Sequence, residues 1–266
     1  MRGIASVRVA ASVGLAAMLA LASMGPAYAA PPAPIACDTT QGACWHPALN
    51  ARWQYQLQGV AAYASTGGIN VGISAVPYTG GAAVSPSVFD FDLFVDQTIS
   101  GNNTTLNTAG VNAVHAAGKS AICYLSAGSW ENWRADAGQF PASVLGNKNG
   151  WPGEKWLDIR QTGVLLPIME ARVQKCRQAG FDGVEEERRE QLVDLAPYFD
   201  YAVNEQCQQY DECGGYTTHF INAGKPVFQV EYKLQPGKFC PQASSANRNA
   251  ILKDFDLFDT PYTPCR

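Results

Sequence analysis

The chain of 266 residues has only three histidines, His46, His115 and His219, and no CxxC pair, so the ligand sets of structural zinc sites are missing. It has neither a GxGxxG turn for a dinucleotide nor a GxxxxGK[ST] loop for a nucleotide phosphate. No basic or acidic run is long enough to form an interaction tail. With 19 basic against 23 acidic side chains the net charge is −4, which excludes the basic footprint of a nucleic-acid binder. We therefore expect no metal, no cofactor and no nucleic acid. What is present is an ordinary globular composition, 47% hydrophobic and 11% aromatic with 25 Gly and 16 Pro, in a length that suits one large domain or two small ones.

Long apolar runs are also scarce. The one exception is residues 9–24, preceded by Arg2 and Arg8, broken by Pro26 and followed by the small-residue string Ala27, Tyr28, Ala29. That order predicts a secretory signal over residues 1–29 with cleavage after Ala29, hence a secreted chain with no membrane association after cleavage. A membrane anchor is the competing reading, but the run is short for a bilayer. Cleavage leaves 237 of the 266 residues and removes two arginines, which takes the charge from −4 to −6.

All eight cysteines, from Cys37 to Cys265, fall in the mature part, and an even number in an exported chain predicts disulfides. Cys37 with Cys44, and Cys207 with Cys213, are close enough to close small loops. The full connectivity does not follow from spacing.

Residues 30–50 begin with a Pro-rich string and read as an extended leader, which leaves residues 51–266 for the fold. Strand-like apolar runs at 53–58, 89–95, 121–126, 181–185, 201–205, 227–232 and 256–258 alternate with helix-like spacing at 106–117, 164–178, 191–198, 216–222 and 247–253. Such alternation predicts parallel β/α architecture, as a barrel or a doubly wound sheet, and the missing GxGxxG favours the barrel.

Barrel chemistry sits at the C-terminal strand ends. Those ends carry Asp90 and Asp92, Tyr124 and Ser126, Glu185 to Glu187, Asn204 and Glu205, and Glu231 and Tyr232. A single carboxylate is ordinarily a solvated surface group. Recurrence at strand after strand suits a glycoside hydrolase, in which two carboxyls flank a bond. Trp130, Trp133, Trp151 and Trp156 lie within 27 residues, as sugar-stacking rings or as core.

Several strings are more specific. AICYLSAGSWENWR at 121–134 resembles a signature of the family 114 glycoside hydrolases, the secreted endo-α-1,4-polygalactosaminidases. WPGEKWLDIR at 151–160, FDGVE at 181–185 and AVNEQC at 202–207 resemble later blocks, and WQYQLQG at 53–59 and FDLF at 91–94 the first two strands. The resemblance implies a TIM-type (β/α)8 barrel, a monomer, which cleaves a galactosamine-containing polysaccharide with a carboxylate pair. It implies Glu205 as one catalytic carboxylate. Asp92, Tyr124, Ser126, Glu185, Asn204 and Glu231, read from the strand ends, are the expected substrate-binding residues.

One departure bears on the chemistry. The family continues from the FDGVE strand into a Pro-Asp-Asn string, a helix and a further strand before Asn-Glu-Gln-Cys. Here Glu185 runs into EERRE at 186–190, and Asn204 follows within twenty residues. About one βα unit is missing, and seven strand candidates stand where closure takes eight. The expected barrel is therefore incomplete between Glu185 and Tyr201, in a truncated paralogue or through a deletion. Counted from Asp182, the family's catalytic Asp position is held by Glu187. The alternative reading is a carbohydrate-binding homologue with impaired catalysis.

Overall fold

A computed structural model of the protein describes residues 44–185 and 196–266. The expected signal at 1–29, most of the leader, Cys37 and Glu187 lie outside the described residues.

The strands in chain order are β1 (Trp53–Tyr55), β2 (Val88–Asp92), β3 (Ser120–Tyr124), β4 (Ser129–Glu131), β5 (Leu145–Lys148), β6 (Glu154–Leu157), β7 (Gly183–Val184), β8 (Ala202–Glu205), β9 (Val227–Glu231), β10 (Asn249–Leu252) and β11 (Thr263–Pro264). The helices are α1 (Gln97–Ser100), α2 (Thr108–Ala116), α3 (Thr162–Ala179), α4 (Cys213–His219) and α5 (Pro236–Ser245). Seven strands run parallel among the described residues, in two sheets ordered β1-β2-β3-β7 and β10-β9-β8, with β11 antiparallel on β10. This is a TIM-type barrel left open.

The two sheets part at two seams. At one, the Trp53 indole donates to the Asn249 carbonyl at 2.8 Å, so a side chain from β1 reaches β10 without a ladder. At the other, where sequence predicts the missing unit, the Tyr201 hydroxyl donates to the Val184 carbonyl at 2.8 Å. Gly183 makes this approach possible: a Cβ there would lie 2.6 Å from the Tyr201 hydroxyl oxygen. The leader ends on the same seam, with Trp45 edge-on to Tyr201 at 5.8 Å.

Local chemistry explains the helix ends. Asn107 caps α2 by accepting from the Gly110 amide at 3.1 Å, and α3 stops at Gly180, which takes φ +92°. Cys123–Cys176 ties β3 to α3, Cys207–Cys213 closes the turn after β8, and Cys240–Cys265 ties α5 to the segment after β11. Cys44 is also disulfide-bonded.

Two expectations are corrected. Residues 247–253, read as helix, contain β10. Asn249, Ala250 and Ile251 are all buried, and a strand covered on both faces loses the alternation that would mark it. Residues 256–258, read as strand, form a turn with Leu257 at φ +51°. The helix α5 was not among the expected helices; Pro236 sits in its first turn, where its missing N–H costs nothing. The antiparallel sheet β4-β6-β5, inserted between β3 and α3, was not foreseen either.

Candidate active site

Side chains alternate along each strand, so every second residue faces the barrel interior. On β2, Asp90 and Asp92 share one face, while Phe91 on the other packs on Phe181 with ring centroids 4.8 Å apart. Tyr55 is the register partner of Asp90 across β1 and β2. From the far side of the barrel comes Glu205, at the end of β8, and the Tyr55 hydroxyl donates to its Oε1 at 3.2 Å. Glu185 follows β7 directly, anchored by its own amide to the Cys123 carbonyl at 3.0 Å.

Glu185 and Asp90 are both fully buried. Neither Glu185 oxygen makes a hydrogen bond of regular geometry, but the Asp90 carboxyl and the Tyr55 hydroxyl lie close enough to act on it. Burial raises the Glu185 carboxyl well above the usual carboxylate range, and the negative charges of Asp90 and Glu205 raise it further. Tyr201 is raised well above its ordinary value by burial and then by Asp90 and Glu185.

Above this group a cleft of about 570 Å³ opens at the C-terminal strand ends. One wall is a charge network. Arg134 grips Asp92 through Nη1 to Oδ1 and Nη2 to Oδ2, both at 2.7 Å, and Glu131 through Nε and Nη2 at 2.8 and 3.0 Å. Burial alone would depress the guanidinium, but the two carboxylates hold it well above its ordinary value. Burial likewise raises Glu131 despite Arg134. The rim is aromatic: Trp133, Trp151, Trp156 and Phe255 all line it, and Trp151 and Trp156 are 53% and 56% exposed. Among the described residues, seven carboxylates (Asp92, Asp96, Glu131, Glu154, Glu185, Glu205 and Asp256) line the cleft against one guanidinium, Arg134.

The sequence matches the family model described as Glycoside-hydrolase family GH114 over residues 35–188 and 186–266. The chain belongs to glycoside-hydrolase family GH114. Its fold is similar to the crystal structure of Aspergillus fumigatus Ega3 in complex with galactosamine, at a TM-score of 0.63 and 27% identity over 82% of this chain and 97% of that one. It also resembles the glycoside hydrolase domain of PelA from Pseudomonas aeruginosa, at a TM-score of 0.48 and 12% identity over 80% of this chain and 96% of that one. No curated protein sequence matches significantly. The family match is in two pieces that meet at 186–188, where the expected shortening lies.

Of the residues singled out from sequence, Asp92, Tyr124, Ser126, Glu185 and Glu205 all line the cleft of this GH114 barrel. Asn204 and Glu231 do not. Each stands one residue out of phase with an inward neighbour, Glu205 on β8 and Tyr232 after β9, so each points away from the interior. Asn204 accepts from the Cys207 amide at 2.9 Å and fixes the turn closed by Cys207–Cys213. Glu231 accepts from the Gln208 amide at 2.8 Å and Gln229 Nε2 at 2.9 Å, and burial raises its carboxyl. Sequence reading missed Tyr55 and Arg134 and left Asp90 among strand-end polar residues. Period-two counting from Asp92 puts Asp90 on the same inward face.

Proposed function

We propose that this chain is a secreted endo-acting hydrolase of α-1,4-linked, galactosamine-containing polysaccharide, working as a monomer on carboxylate chemistry. The observation that carries the reading is the cleft itself: among the described residues, seven carboxylates against one guanidinium beneath an aromatic rim. A galactosamine polymer presents free ammonium groups and pyranose faces. The first suit the acidic walls and the second suit the Trp faces. The similar Ega3 was crystallised with galactosamine, which supports the same sugar here. The disulfides suit an oxidising exterior, and no helix among the described residues is long and apolar enough to cross a membrane.

Glu205 is the proposed general acid. Tyr55 occupies Oε1 as a donor, which leaves Oε2 to carry the proton to the leaving glycosidic oxygen. Asp92, held rigid by Arg134, Tyr124 and Ser126 shape the sugar site beside it. Glu187 is the proposed partner carboxylate, through the resemblance. Trp151 and Trp156 stack on sugar rings.

The two-piece family match and the parted sheets after β7 favour a second reading, a binding protein without turnover. Product analysis by mass spectrometry, with the mature chain on α-1,4-galactosamine polymer, separates the two. Shortened oligomers support the hydrolase; retention of intact polymer on the protein without shortening supports the binding protein. In an active chain, Glu187→Gln loses turnover only where Glu187 serves as the partner.

A further inference from the structure

Behind Glu205, on the outer face of β8 and β9, lies a buried polar layer that lines no part of the cleft and that the mechanism above leaves unused. Asn204 and Gln229 are register partners across β8 and β9, and Glu231 follows Gln229 on the same outer face. Arg248, buried at the entry to β10, donates from Nε to Gln229 Oε1 at 2.8 Å. Gln229 Nε2 in turn donates to Glu231 Oε1 at 2.9 Å. The arginine can only donate and the carboxylate only accept, so the amide between them has one orientation that satisfies both. Each end feels the other's charge. Burial lowers Arg248 and Glu231 opposes this, while burial raises Glu231 and Arg248 is among the groups that oppose it.

The layer ends on the turn that carries Glu205. Gln206 takes φ +59°, in the left-handed region that a residue with a Cβ keeps only where its surroundings hold it. The three amides after Glu205 are all bound: Gln206 to the Val230 carbonyl at 2.8 Å, Cys207 to Asn204 Oδ1 at 2.9 Å and Gln208 to Glu231 Oε1 at 2.8 Å. Arg248 Nη2 also reaches the Gln208 side chain, donating to its Oε1 at 3.4 Å. Both buried charges therefore converge on Gln208, three residues beyond Glu205.

We propose that Arg248 and Glu231 are positioning residues for the acid: by holding Gln208 from outside the barrel wall, they keep the left-handed turn at Gln206 in place and so fix the direction in which the Glu205 carboxyl enters the cleft. Tyr55 meets that carboxyl from across the barrel, and this clamp holds its backbone from behind. The clamp touches no sugar. It acts on the one step that needs a proton, in which Glu205 protonates the leaving glycosidic oxygen as the bond from sugar carbon to that oxygen breaks and its electron pair stays with the oxygen. The inference rests on the reading of the chain as a hydrolase with Glu205 as its acid.

The test uses the full mature chain and two substrates: α-1,4-galactosamine polymer, and a dinitrophenyl glycoside of a galactosamine oligomer, whose phenolate leaves without a proton. On both, kcat/KM reads the bond-breaking step. Glu231→Ala should lose about tenfold to a hundredfold on polymer, the scale of an ångström of misplacement, and less than about threefold on the activated glycoside. Arg248→Met/Glu231→Leu should show the same split. Apolar replacement of a buried ion pair is ordinarily tolerated by a fold, yet it strips the Gln208 amide of its acceptor, so this variant carries the test where Glu231→Ala does not fold. Glu205→Gln should show the split at full size, roughly 10²–10⁴-fold on polymer. A merely structural role would lower both substrates together. Equal losses on the two substrates, or no loss on polymer, in a folded Glu231 variant while Glu205→Gln shows the split overturns the proposal. Glu205→Gln without the split, or a wild type that turns over neither substrate, instead removes the reading beneath it, and this proposal with it.

Discussion

The Tyr55 hydroxyl meets Glu205 Oε1 at 3.2 Å, and 150 residues of chain separate the two. One stands on β1 and the other on β8, in different sheets, so the bond exists only when both halves of the open barrel are assembled. The proposed acid is thus oriented by tertiary structure and not by its own loop. Tyr55→Phe keeps the ring and its 5.5 Å stack on Trp53 but removes the hydrogen bond. A hydrogen bond to a charged group is worth about 1.5–3 kcal/mol. We expect kcat to fall roughly tenfold to a hundredfold with KM almost unchanged, measured by steady-state kinetics. A rise in KM alone, with kcat unchanged, would argue against the orienting role.

The aromatic rim should act on binding. Trp151 and Trp156 are exposed and buttressed differently: Trp151 faces Phe255 at 6.2 Å, while Trp156 lies on β6. Truncating either to Ala should weaken polymer affinity by roughly tenfold, the scale of a stacking contact of about 0.5–1.5 kcal/mol, and leave thermal stability near that of wild type. Calorimetric titration of inactive enzyme with oligomer reads this directly. Equal affinity in all three proteins would show that the sugar binds elsewhere.

The acidic cleft predicts a salt dependence. Attraction between exposed charges is screened beyond about 8 Å at physiological ionic strength. Affinity for the free-amine polymer should fall steadily as salt rises. A fully N-acetylated chain, which carries no ammonium, should show a nearly flat response. Matching salt slopes for the two polymers would leave stacking as the whole of the attraction.

Lys253 gives a stability test independent of substrate. It is buried at the end of β10, with Nζ donating to the Asp259 carbonyl at 3.0 Å, and burial lowers its ammonium to about 7. The sign follows from linkage. Between about 7 and the ordinary 10.5 the unfolded chain carries a proton that the folded chain has lost, so this group makes stability rise with pH through that window. The slope is at most about 1.4 kcal/mol per pH unit. Denaturant melts at pH 7 and pH 9 should show the gain in wild type and its absence in Lys253→Met. A wild type no more stable at pH 9 than Lys253→Met predicts would contradict it.

Much of this was legible in sequence because the signals were local. Apolar runs at 53–58, 89–95 and 121–126 cover β1 and most of β2 and β3, and the spacing at 164–178 covers most of α3. A shortfall of one unit was expected from the strand count, and among the described residues the two parallel sheets are not paired between β7 and β8. What failed depended on phase or distance. Asn204 and Glu231 carry the right chemistry one residue out of step, so the pleat turns them outward. β10 is covered on both faces and shows no alternation. Arg134 joins Asp92 and Glu131 across 42 and 3 residues, and a basic residue next to tryptophans in a loop gives no hint of which carboxylates it will hold.

The central claim is that Glu205 delivers the proton in a hydrolase. The most direct measurement compares wild type with Glu205→Gln on α-1,4-galactosamine polymer, following reducing ends released and polymer bound. The account predicts measurable release by wild type, a loss of roughly 10²–10⁴-fold in Glu205→Gln, and polymer affinity within a few-fold of wild type. An active wild type whose Glu205→Gln variant keeps its full rate would contradict it.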